Sequence, residues 1–212
     1  MQTIVKCRAE GPNRALASKI NAGDKVYRYI SSVDGGAVSK ANATDTRKQP
    51  AVEYKIGDAG PAGGIIFYDK GNSSDGWRYL EVAPEDQSHR IRWNWEKDDE
   101  LETGAKAAGP GSGKENTAKI VAAYGDGAYA AKLCVDYRGG GKNDWYLPSI
   151  EELDLMYENL KKPGLVKFNG RFCWSSTEYD AAEAIFLTFG FGYKNEEKKR
   201  GEGRVRAVRR FQ

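Results

Sequence analysis

Phe172-Cys173-Trp174-Ser175-Ser176-Thr177-Glu178-Tyr179 opens the last stretch of the chain, and Arg204-Val205-Arg206-Ala207-Val208-Arg209-Arg210-Phe211 closes it. Both runs are rich in aromatic and β-branched residues and predict strands. Between them lie Ile185, Phe186, Leu187, Phe189, Phe191 and Tyr193, then a charged tip from Asn195 to Glu202. Ile185 to Tyr193 carries more large apolar residues than one face of a strand buries. Exposed aromatics flanked by charge are a binding signature, so the middle predicts a displayed surface. The other reading is that a second layer or a partner subunit covers these residues.

Upstream elements frame this stretch. Ser149 and Glu152 have capping-box spacing and start a helix whose buried stripe is Leu153, Met156, Tyr157 and Leu160. Lys161-Lys162-Pro163-Gly164 ends it. An earlier helix begins near Glu115 with Ile120, Val121 and Tyr124 on one side. It breaks at Gly125-Asp126-Gly127 and resumes from Ala128 to Tyr137. Further back, Ile65 to Tyr68 and Trp77 to Ala83 predict an antiparallel hairpin ended by Pro84. Glu85 to Gly113 has no stable period. Trp93 and Trp95 within it read either as an aromatic ligand platform or as pins holding a long loop to the core. Gly109 to Lys114 lacks the spacing of a phosphate loop.

Residues 1–50 form an N-terminal extension or small subdomain, with one candidate strand at Lys25 to Ile30. Residues 51–212 form the main domain. Strands and helices come in blocks and do not alternate, so the fold class is α+β, with two helices packed on short antiparallel sheets.

Composition narrows the function classes. The 212 residues carry 33 basic and 30 acidic side chains, a net charge of +3, which is too balanced to argue for nucleic acid or a membrane surface. The basic excess lies near the C-terminus, at Lys198, Lys199, Arg200, Arg204, Arg206, Arg209 and Arg210. It reads either as an anion-binding patch or as the wet side of a strand. Three cysteines make no disulfide framework, and Cys134 and Cys173 sit in core-like contexts. One histidine and no Cys/His cluster imply no zinc, and Asp98-Asp99-Glu100 reads as a solvated loop. No stretch approaches the ~20 apolar residues of a membrane span, and Met1 to Cys7 does not read as a signal peptide.

Several segments in order resemble one family. They are Ile56 to Tyr68, Gly76 to Glu81, Gly113 to Thr117, Ala131 to Cys134, Asp144 to Ser149 with Glu152 to Tyr157, Trp174 to Glu178, and Arg204 to Arg209. Together they resemble bacterial proteins with the C-type lectin fold of the formylglycine-generating-enzyme kind. These include the Legionella collagen-like protein C-terminal domain and the variable proteins of diversity-generating retroelements, the treponemal variable protein among them. The resemblance implies a lectin fold over about residues 54–211 and a variable region within 172–211. In such proteins a reverse transcriptase rewrites chosen adenines of the gene's 3′ end, and the altered residues line a ligand-binding surface. By position, Ala184, Phe189, Gly192, Lys199 and Arg204 correspond to fixed scaffold. The ligand-binding set implied is Tyr179, Asp180, Ala181, Ala182, Glu183, Ile185, Phe186, Gly190, Phe191, Tyr193, Asn195, Glu196, Glu197, Lys198 and Arg200. Adenine changes in an AAC codon reach Asp, Ile, Phe and Tyr but not Glu or Lys, so Glu183, Glu196, Glu197, Lys198 and Glu202 depart from the scheme.

The expected function is non-catalytic display of a binding surface for a protein or a cell-surface glycan, with Phe186, Phe191 and Tyr193 as aromatic anchors. No cofactor, metal or catalytic residue is expected. The alternatives are a fixed adhesin or structural module of a cell envelope or phage particle, and an enzyme of the formylglycine-generating kind. The last needs a close pair of reactive cysteines, and buried thiols in apolar surroundings are poorly ionised.

Overall fold

The computed structural model describes residues 52–95, 100–168 and 172–212. The chain divides after Gln49 into two compact units. The second runs from Pro50 to Gln212, and the expected strand at Lys25 to Ile30 lies outside the described residues.

The fold is α+β, built from two sheets and three α-helices. Strands β1 (Ile65–Asp69) and β2 (Tyr79–Val82) form the expected hairpin, with a bulge between Ile66 and Tyr68. Strand β8 (Val208–Phe211) returns from the far end of the chain to pair with β2, completing the order β1-β2-β8. The second sheet has the order β3-β7-β4-β5-β6. Its strands are β3 (Ser88–Arg92), β4 (Phe172–Glu178), β5 (Glu183–Thr188), β6 (Tyr193–Lys198) and β7 (Glu202–Val205). Helices α1 (Gly113–Tyr124) and α2 (Ala130–Asp136) are separate, because the break at Gly125 holds a backbone φ of 70° that a helix interior excludes. Helix α3 (Ile150–Met156) carries the expected capping box and continues into a π-helical turn, Tyr157–Lys161. Among the described residues the α-helices are therefore three, not the two expected, and the second sheet is not purely antiparallel as expected, because β4 pairs with β7 in parallel.

Alternation along β4 and β5 creates two cores. Trp174 and Phe186 face one way, into a cluster with Ile120, Tyr129 and Cys134 of the α1–α2 layer. Cys173 and Leu187 face the other, into a cluster with Phe67, Leu80, Leu153 and Met156. Strand β3 falls in the stretch whose sequence shows no period. A bulge between Ser88 and Ile91 breaks its alternation against β7. Trp93 is fully buried and donates its ring N–H to the Ser175 carbonyl at 2.7 Å, so it pins this segment to the core. Trp95 packs partly buried against the same core.

Of the C-terminal cations, Lys198 and Arg200 are exposed, whereas Arg204, Arg206, Arg209 and Arg210 follow neither reading made from the sequence. Arg209 is buried and donates to both oxygens of Asp144 at 2.8 and 2.9 Å, and to Glu81 at 3.0 Å. Arg204 and Arg206 share the carboxylate of Asp86, each at 2.6 Å. Arg210 reaches the Gly111 carbonyl at 2.8 Å and Glu115 at 2.7 Å. These cations tie the last strands to carboxylates that lie far away in the chain. Their charge is matched internally and forms neither a wet face nor an anion patch.

Candidate ligand-binding surface

The expected surface is the β5–β6 hairpin with the turns that flank it. The hairpin pairs regularly from Glu183 opposite Lys198 to Thr188 opposite Tyr193, and β6 is the outermost strand of its sheet. Six residues of strand span roughly 17–20 Å, so the hairpin has two well-separated ends.

One end holds the 179–182 turn, Lys198 and Arg200. Asp180 organises the turn by accepting from the Ala182 and Glu183 amides, both at 2.8 Å. Beneath it lies a buried ion pair. Lys199 Nζ donates to Glu178 at 2.6 Å, to the Leu101 carbonyl at 2.9 Å and to the Ala181 carbonyl at 2.8 Å. Glu178 also accepts from the Thr103 and Gly104 amides, each at 2.8 Å. Burial pushes the Glu178 carboxyl up, but the Lys199 and Thr103 hydrogen bonds outweigh it and hold the group below the usual carboxylate range. Burial pulls the Lys199 ammonium down, partly offset by Glu178. This pair fastens three backbone segments: the 101–104 loop, the 179–182 turn and the β6–β7 connection.

The other end is the β5–β6 turn. Gly192 sits there at φ 70°, and a Cβ on it would lie 2.5 Å from the Tyr157 ring. That close approach seats the turn on the π-helical segment. Phe189 is buried and stacks on Phe168 at 4.2 Å between ring centroids. Lys194 and Asp154 of α3 form an ion pair at 2.7 Å. Above this anchored base, Phe191 is 88% exposed and Tyr193 58% exposed.

The expected residues thus separate into groups. Tyr179 (54% exposed), Asp180, Ala181, Ala182, Glu183, Lys198 and Arg200 belong to the charged end, and Gly190, Phe191 and Tyr193 to the aromatic end. Asn195, Glu196 and Glu197 run along β6 between them. Phe186 is a correction: it is only 9% exposed and packs against Phe172 and Trp174, so it is core and no anchor. Ile185 is half-buried against the other core. Both point inward because β5, unlike β6, has a neighbour on each edge and a packed layer on each face. Of the residues assigned to scaffold, Ala184, Phe189 and Lys199 are buried, whereas Gly192 and Arg204 are partly exposed.

Sequence reasoning missed Glu178, Thr103 and Tyr157 as the supports of this surface. Glu178 lies in a strand-like run and its role depends on a lysine 21 positions away, which no local pattern reveals. It also missed a concavity of about 340 Å³ lined by Pro84, Glu85, Asp86, Gln87, Leu133, Asp136 and Tyr137. None of its lining residues belongs to the hairpin.

Cys134 and Cys173 are free and buried. Burial pushes the Cys134 thiol well above its ordinary pKa, and moves that of Cys173 up to about 12. Neither presents a thiolate at neutral pH. Among the described residues no group of three or more His, Cys, Asp or Glu side chains is placed to hold a metal ion, and no helix is long and apolar enough to cross a membrane.

Comparison with protein families matches the Lcl C-terminal domain over residues 83–209. The chain belongs to that family. In this Lcl C-terminal domain the match runs from the end of β2 into β8. It includes the whole β5–β6 hairpin and both of its anchors, and leaves out β1 and β2. No curated protein matches the chain.

Proposed function

We propose that this Lcl C-terminal domain is a non-catalytic ligand-binding module, receptor-like or adhesin-like, on a C-type lectin scaffold of the formylglycine-generating-enzyme kind. The observation that carries the reading is the pair Phe191 and Tyr193, large aromatics standing in solvent on a hairpin whose ends are both locked to the core. Large exposed aromatics on a rigid base contribute binding energy with little ordering cost. The ligand is a protein or a cell-surface glycan. The burial of both described thiols supports binding over formylglycine-type chemistry.

The surface is either diversified by a retroelement or fixed. Glu183, Glu196, Glu197 and Lys198, which lie on the hairpin and are unreachable from AAC codons, favour the fixed module. Deep sequencing of the 3′ end of the gene across a cell population distinguishes the two. Substitutions confined to codons 179–203, beside a near-repeat and a reverse-transcriptase gene, support diversification. An invariant segment without such a repeat leaves the fixed module.

A further inference from the structure

Among the described residues, the outer edge of β6 pairs with no other strand. The strand is regular, with no bulge against β5, and contains no proline. Its edge N–H and C=O groups form a template for another strand. Charged residues usually protect such an edge, but here their sign decides the matter. Lys194, Glu196 and Lys198 lie on one face, and Tyr193, Asn195 and Glu197 on the other.

We propose that β6 pairs antiparallel with β6 of a second copy of this chain, about a two-fold axis at Asn195. A two-fold axis perpendicular to the sheet sets residues of the same face opposite each other. Centred on Asn195, Lys194 meets Glu196 of the second copy twice over, Tyr193 meets Glu197, and the Asn195 amides face each other. The Lys194–Glu196 pairs are opposite in charge, with Lys194 also held by Asp154 of its own chain at 2.7 Å, and no facing pair joins like charges. Centred on Glu196, Lys194 would face Lys198 and Glu196 would face itself, which is repulsive throughout that face. The opposite edge of the sheet, β3, has no carboxylate to set against the Arg90 and Arg92 of a second copy, and its Arg90 is already paired with Glu202. A centre at Glu197 also sets Glu196 opposite Lys198, but it sets Glu197 opposite itself, and centres at Lys194 or Lys198 do the same with a lysine, so the Asn195 centre is favoured as the one of these without like-charge pairs.

The pairing also joins what a single chain keeps apart. The aromatic end and the charged end of the hairpin lie a strand length from each other. In the two-fold pairing Phe191 of one copy comes beside the Lys199–Arg200 segment of the other, so aromatic and charged groups adjoin twice across the sheet. This consequence rests on the proposed binding role, whereas the pairing itself does not.

The test is sedimentation by analytical ultracentrifugation of the full chain over a concentration series, without ligand. Concentration-dependent doubling of mass is expected, weakening with added salt. Glu196→Lys, the decisive variant, places two like-charge pairs in the interface and lowers the association constant at least tenfold; Lys194→Glu does the same but also loses its own-chain partner Asp154, so its melting temperature is measured beside its association. The double variant Lys194→Glu/Glu196→Lys restores the pairs and the association. A monomer at every concentration, a dimer indifferent to the single substitutions, open-ended oligomers, or a double variant as weak as the singles would each overturn the proposal. A dimer held by the N-terminal unit gives the second of these outcomes. Failure of the ligand screen described below leaves these results standing, so the two readings fail separately.

Discussion

Replacing Lys199 by Met tests whether the buried ion pair holds the charged end of the surface. Both side chains are fully buried, and the pair is 2.6 Å long. Methionine fills similar volume but removes three donated hydrogen bonds, leaving the Leu101 and Ala181 carbonyls short of a donor. Glu178 would stay surrounded by Thr103 and Gly104 with no counter-charge. Breaking a buried pair from one side costs about 3–5 kcal/mol, more than the pair contributes relative to an apolar substitute, because the remaining charge is stranded. At roughly 2–4 °C per kcal/mol for a domain of this size, the melting temperature should fall by about 6–20 °C. Urea unfolding followed by tryptophan fluorescence is the natural assay, since Lys199 Nζ lies 4.9 Å from the Trp93 ring centre. Neutralising the partner as well, in Lys199→Met/Glu178→Gln, should cost less than the two single changes together by at least about 1 kcal/mol. A single variant within about 1 kcal/mol of the parent, or strict additivity, would refute the reasoning.

Three other predictions concern the frame and the display. Glu152 is buried and accepts from Ser149 N at 2.7 Å, Gly111 N at 2.8 Å and Tyr146 Oη at 2.9 Å. Burial outweighs these bonds and raises its pKa to about 7 from an ordinary 4.5. Between those values the folded chain holds more protons than the unfolded one, so stability should fall as pH rises, by up to about 3 kcal/mol. Denaturant melts at stepped pH check this slope, and Glu152→Gln should flatten it. Arg209→Lys keeps the charge but loses the two-oxygen grip on Asp144, and should cost about 2–3 kcal/mol in chemical denaturation. Phe191→Ala should change stability by less than about 0.5 kcal/mol, since its ring is solvated, so calorimetry should show an unchanged melting temperature.

The legible parts of the fold were those with a local signature. The Ser149–Glu152 capping box and the β1–β2 hairpin follow from spacing and punctuation within a few residues. The first helix of the α1–α2 pair was legible for the same reason, although the Gly125 break divides two helices and not one. Strand β3 was hidden because its bulge breaks the alternation that marks a strand. The arginines of β7 and β8 were misread because their partners, Glu81, Asp86, Glu115 and Asp144, are distant in sequence. Of the expected surface, Phe191 and Tyr193 stand exposed, while Phe186 does not. An isolated phenylalanine in a strand gives no sign of which face is covered until the neighbouring strands are placed.

The central claim is that the two exposed aromatics of the hairpin bind a ligand. The direct measurement is to probe glycan and surface-protein arrays with the parent chain and with Phe191→Ala/Tyr193→Ala in parallel. At least one ligand should be held by the parent and weakened about thirtyfold in the double variant, as for the loss of a ~2 kcal/mol anchor. Equal binding by both proteins to every ligand found, or no ligand for the parent, would contradict it.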